Sequence, residues 1–149
     1  SGKGWQMMAP APTNGFKSAS GAFYFGDKAK LNYDWGKSQG HLVSPVFTPN
    51  KDTVVAFWLR LEVEADAKYD KFQVAFLAGG KLNMLIARDV KSAAGETLKN
   101  KVWQRVVLPL SSFAGTPGNV VWTFTATDGE ANKTRGAFLD DVEVSECAQ

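Results

Sequence analysis

The stretch "VVAFWLRLEVEADAKYDKFQVAF", residues 54–76, decides the fold class. Phe57, Leu59, Leu61 and Val63 share one phase of a two-residue repeat, and Trp58, Arg60, Glu62 and Glu64 share the other. Successive side chains of a β-strand point to opposite faces, so this is the pattern of a strand with one buried and one outward face. "ADAKYD" then turns the chain, and Phe72, Val74 and Phe76 resume the inward phase against Gln73 and Ala75. The two runs predict long strands paired like a hairpin. Trp58 is out of place among charges, and either a ligand or a covering loop, such as 91–100, must occupy the face that carries it.

The same reading extends in both directions. After the Gly79-Gly80 turn, "KLNMLIARD" sets Leu82, Met84 and Ile86 on one side, and "SAAGETLKN" (92–100) is a loop with at most one helical turn. "VWQRVVLPLSSF" sets Val106, Leu108 and Leu110 on one side and Trp103, Arg105 and Val107 on the other, and "NVVWTFTATD" alternates Trp122, Phe124 and Ala126 with Val121, Thr123 and Thr125. "GAFLDDVEVSE" places Val142 and Val144 inward with Asp141 and Glu143 outward, and on that phase Asp140 also points inward. Toward the start, "GAFYFG" (21–26) and "AKLNYDWG" (29–36) read as short strands, while the proline in "GHLVSPVFTP" (40–49) demotes it to an edge. Many strands, closely spaced turns and no amphipathic helix predict an all-β protein: a two-sheet antiparallel β-sandwich of the jelly-roll type over residues 21–146. Residues 1–20 are an N-terminal loop or a truncated first strand, and 147–149 a tail.

At 149 residues the chain suits one domain. Its formal charge is +2, with both signs dispersed and no basic stripe, which argues against a nucleic-acid partner. Its most apolar run, "VVAFWL", is far too short for membrane insertion. Ser1-Gly2-Lys3-Gly4 reads as a trimmed or engineered start. The single cysteine, Cys147, cannot close an internal disulfide; it is a tail residue or pairs within a longer precursor. Catalysis finds no constellation: His41 is the only histidine, Ser111 and Ser112 lack a nucleophile-elbow context, and Glu62 and Glu64 lie about 7 Å apart along one strand without facing acids in an aromatic cleft.

The succession "YFGD" (24–27), "GHLVSPVF" (40–47), "VVAFWLRLEVE" (54–64), "YDKFQVAF" (69–76), "VWQRVVLPLSSFAG" (102–115), "VVWTFTA" (120–126) and "GAFLDDVEV" (136–144) resembles the MAM-like and cleaved-adhesin group of extracellular jelly-roll domains. The resemblance spans roughly residues 20–145. It implies a non-catalytic, secreted module appended to a protease, glycoside hydrolase or adhesin, engaging proteins or glycans and often holding a structural calcium ion. Trp5 resembles the tryptophan of the group's first strand; the acidic residue that precedes it there and the group's disulfides have no counterpart here.

The calcium candidates are Asp27, Asp70 and Asp140, the last followed by Asp141 in the group's "DDV" ending. An inward Asp140 must meet a cation or several donors, unless a bulge turns it outward. Two aromatic platforms are candidates for sugar stacking: Trp58 with Arg60, Glu62 and, one strand over, Gln73; and Tyr33 with Trp35, beside Asn32 and Asp34. Trp103 and Trp122 read as core. The function expected is an extracellular binding module for polysaccharide or glycoprotein, assisted by calcium. The alternative is an adhesion or inter-domain module that packs against a surface protein or a neighbouring domain.

Overall fold

The computed structural model describes residues 3–11 and 15–146; Cys147 lies outside them. Nine strands form: β1 (Trp5–Met8), β2 (Ala22–Phe25), β3 (Ser38–Val43), β4 (Thr53–Glu62), β5 (Asp70–Ala78), β6 (Lys81–Ala87), β7 (Trp103–Pro109), β8 (Gly118–Ala126) and β9 (Gly136–Glu146). One sheet runs β1-β2-β9-β4-β7 and the other β3-β8-β5-β6, with every strand pair antiparallel. Strands β2 to β9 make the two four-stranded layers of a jelly roll, and β1 lengthens one edge. The N-terminal segment thus contains a strand, while 92–100 is irregular as expected.

Two sequence expectations are corrected. Residues 54–76 are not a hairpin: β4 lies between β9 and β7, β5 lies between β8 and β6, and the turn between them carries the chain from one sheet to the other. The inward phases were right, because Phe57, Leu59, Leu61, Phe72, Val74 and Phe76 are all buried in one core. Gln73, however, pairs with Thr123 and Ala87 in the opposite sheet, on the other outer surface from Trp58. Alternation reports which side chains face inward, and a sandwich satisfies it as well as a hairpin does.

Residues 29–36 are not a strand either. A single bridge joins Asp27 to Asn32, and the chain then drops Tyr33 into the core, edge-on to Phe124 at 5.4 Å. The Tyr33 hydroxyl donates to Asp70 Oδ2 at 2.6 Å, and the Glu64 amide donates to the same oxygen at 2.9 Å. Asp70 is fully buried, and its other oxygen has no hydrogen-bond partner among the described residues. The Arg88 guanidinium lies nearby, donating to the main-chain carbonyls of Asp70 and Glu64, so the buried carboxylate has a compensating cation. Burial pushes the Tyr33 hydroxyl well above the usual tyrosine range, and its hydrogen bond to Asp70 adds to the rise. Tyr33→Phe should remove a charge-assisted bond and lower unfolding free energy by about 1–3 kcal/mol, measured by urea denaturation, with any glycan binding unchanged.

Candidate functional site

The outer face of the five-stranded sheet carries a second, smaller apolar layer. Tyr24 of β2 stacks on Phe138 of β9 at 4.7 Å, and Phe16 lies against both Phe138 (5.8 Å) and Trp103 of β7 (6.2 Å). Phe16 belongs to the segment leading into β2, so the loop that covers this face is 15–20 rather than 91–100. Gly15 begins that segment with a φ of +62°, a backbone conformation that suits glycine.

Asp140 pins this loop. Its Oδ2 accepts the amides of Lys17 (2.6 Å) and Ser18 (3.0 Å), and its Oδ1 accepts the amide of Asp141 (2.8 Å). Asp140 is buried, but on the outer side: it is the cross-strand partner of Trp58, on the face of β4 opposite to Phe57 and Leu59. The inward placement read from its phase with Val142 fails because β9 has an extra residue there. Trp58 pairs with Asp140 and Ala56 with Glu143, so Asp141 and Val142 together oppose Phe57. Asp141 takes φ +47°, the positive-φ geometry that such a bulge can demand.

The bulge opens a recess of about 340 Å³ beside Trp58, lined by Trp58, Arg105, Asp141, Val142 and Glu143. Arg105 reaches it as Trp58's cross-strand partner on β7. The side chains of Arg105, Asp141 and Glu143 make no hydrogen bond or ion pair among the described residues. Lys17 sets its ammonium 4.7 Å from the centre of the Trp58 ring. The indole is therefore partly covered by the loop and partly open to the recess, flanked by one guanidinium and two carboxylates.

Arg60 and Glu62, predicted beside Trp58, are committed elsewhere. Glu62 accepts from Arg60 Nε at 2.6 Å and from Arg135 Nε at 2.6 Å, and the Arg135 guanidinium also lies over Phe138. Burial favours the neutral acid, but the two guanidinium groups outweigh it and hold Glu62 below its ordinary value. Trp35 is only partly buried, tilted against Phe25 at 5.8 Å with Lys3 over its ring, whereas its predicted companion Tyr33 is sealed in the core. Trp122 is buried as expected, and Trp103 is partly buried in the outer layer. His41 sits exposed on β3, bonded through Nδ1 to Thr123.

The three calcium candidates do not assemble. Asp140 is saturated by backbone donors, Asp27 Oδ1 accepts the amides of Ala29 and Lys30 in a local turn, and Asp70 is held by Tyr33 and Glu64. Glu64 lies above its ordinary value through desolvation and the neighbouring charges of Asp70, Asp128 and Asp66. Even so, no three acidic, histidine or cysteine side chains among the described residues converge to hold a metal. The predicted acids therefore do not fit a calcium ion as one site.

Residues missed by sequence reasoning are Arg105, Asp141, Glu143 and Lys17. The first three were legible as outward-facing, but their adjacency to Trp58 depends on strand order and on the bulge. Asp140→Ala should cost about 2–3 kcal/mol in urea unfolding and speed hydrogen exchange at Lys17 and Ser18. Because Glu62's value is depressed on folding, its stabilisation is complete above the ordinary carboxylate range and is lost as pH falls through the lower, folded value. Glu62→Gln should accordingly flatten the acid limb of a melting-temperature profile relative to wild type.

No family model matches the sequence, and no curated protein resembles it in sequence. Solved structures do match in fold. The glycoside hydrolase domain of Endo-D from Streptococcus pneumoniae R6 aligns with 99% of this chain at TM-score 0.61 and 16% identity, and this chain spans 21% of that one. A cleaved adhesin domain of Lys-gingipain from Porphyromonas gingivalis W83 aligns with 99% at TM-score 0.59 and 17% identity, covering 86% of that domain. SGBP-B from a complex xyloglucan utilization locus in Bacteroides uniformis aligns with 97% at TM-score 0.51 and 18% identity, covering 46% of that chain. The chain shares their β-sandwich fold.

Proposed function

We propose that this chain is a non-catalytic, extracellular carbohydrate-binding module whose ligand sits in the recess beside Trp58. The observation that carries the reading is the recess itself: a half-open indole ring beside Arg105, Asp141 and Glu143, three polar side chains with no partner among the described residues. A sugar offers C–H groups to the indole face and hydroxyls to charged groups that both donate and accept. Unpaired side chains at a recess are available to a ligand without breaking an internal bond. The sandwich shared with an adhesin domain and with a protein of a xyloglucan utilization locus supports a binding role. The pair considered for hydrolysis, Glu62 and Glu64, does not support catalysis, since Glu62 is clamped by two guanidinium groups.

Affinity electrophoresis against xyloglucan and a panel of plant and host polysaccharides tests the reading. Retardation by at least one polysaccharide should fall about tenfold or more in Trp58→Ala and in Arg105→Ala, with melting temperatures within a few degrees of wild type. Binding that survives both substitutions, or no retardation across the panel, would overturn it.

A further inference from the structure

The other edge of β9 opens a second surface. β2 pairs with β9 only from Phe23 opposite Leu139 to Phe25 opposite Ala137. β9 continues to Glu146, paired on its β4 side with Thr53 to Ala56, and along that half no described residue pairs with its free edge. A row of backbone donors and acceptors is left facing out, in line with the end of β2.

Beneath this edge a cavity of about 280 Å³ enters between the sheets, lined mainly by Phe23, Leu42, Pro45, Trp122, Val142 and Val144. Its rim is apolar and open: Val43 is 56% exposed, Val142 38% and Val144 42%. At its inner wall Trp122 is 3% exposed, and its indole N–H has no acceptor among the described residues. Buried indole N–H groups ordinarily find a partner, so this one is a sensitive reporter of any change in the groove wall.

Two features fall together here: an unpaired strand edge and an apolar groove at the alternation of a strand. They are what an extended polypeptide recognises when it adds to a sheet, the backbone ladder giving affinity and alternate side chains filling pockets. Charge selects among occupants. The edge "DVEVSE" (141–146) carries Asp141, Glu143 and Glu146 and no base, so a second copy of this strand would bring acids to acids. We propose that the free edge of β9 binds, by strand addition, an extended segment of another polypeptide. That segment carries apolar residues on the phase that enters the groove and Lys or Arg on the phase that faces Asp141 and Glu143.

The test uses a short soluble peptide alternating valine with lysine or threonine, titrated into isotopically labelled protein. The proposal expects shifts in the amides of Val142 to Glu146 and in the Trp122 indole proton. It expects about tenfold or greater weakening in Val144→Lys, and loss of binding when the peptide backbone is N-methylated on the pairing edge, a control that leaves the protein untouched. Trp58→Ala should leave peptide binding intact while reducing retardation by polysaccharide, which distinguishes the two activities although Val142 lines both cavities and Asp141 and Glu143 border both sites. Equal binding of a valine–glutamate peptide, shifts confined to other strands, or no shifts would overturn the proposal. A concentration-dependent dimer abolished by Val144→Lys would overturn it in favour of a second copy as the occupant.

Discussion

One extra residue in β9 governs both surfaces of this domain. A strand that slips by one residue sends every later side chain to the other face, and here the slip occurs at Asp141, opposite Phe57. Before it, Leu139 faces the core while Phe138 and Asp140 face out; after it, Val142 and Val144 face the gap between the sheets and Glu143 faces out beside Ala56. Without the bulge Asp140 would not meet the amides of the 15–20 loop, and Asp141 and Glu143 would not converge on Trp58. Those losses follow if the later register ran through; if the earlier one did, Asp140 would keep its place and the two valines would lie on the outer surface instead of lining a groove.

The outward Asp140 in turn allows the five-stranded sheet to be apolar on both sides. Phe16, Tyr24, Trp103 and Phe138 form a layer that water would otherwise wet, and the loop covering it has no regular secondary structure to satisfy its amides. One carboxylate supplies acceptors for Lys17 and Ser18, and with them placed, Lys17 can lie over Trp58. Burying a carboxylate is costly unless several donors meet it, and backbone amides meet it here. The Arg60–Glu62–Arg135 cluster handles charge at the neighbouring end of the same face in a comparable way, by pairing it internally.

Much of the fold was legible from alternation alone. The inward residues of β4 and β5 were identified, the two faces of β7 and β8 were separated, β3 was recognised as an edge from Pro45 just beyond it, and the absence of amphipathic helix gave the class. The candidate site was less legible. Trp58 was singled out correctly as an aromatic on a face that must be occupied, but its companions were sought along its own strand at Arg60 and Glu62, and at Gln73 in the wrong sheet. Tyr33 was misplaced because a buried aromatic in a turn leaves no periodic trace.

What the amino-acid sequence determined by itself is which side chains share a face along each unbroken run of a strand, because pleating is local and every second side chain shares an environment until a bulge intervenes. What only the tertiary structure decided is who those neighbours are: that β4 lies between β9 and β7, that Arg105 and Glu143 reach Trp58, and that Asp140 turns out toward a loop more than a hundred residues earlier. The physical reason is that strand order and register are settled by the joint packing of two sheets around one core. A single inserted residue there redirects side chains in a way that no window of sequence around it can report.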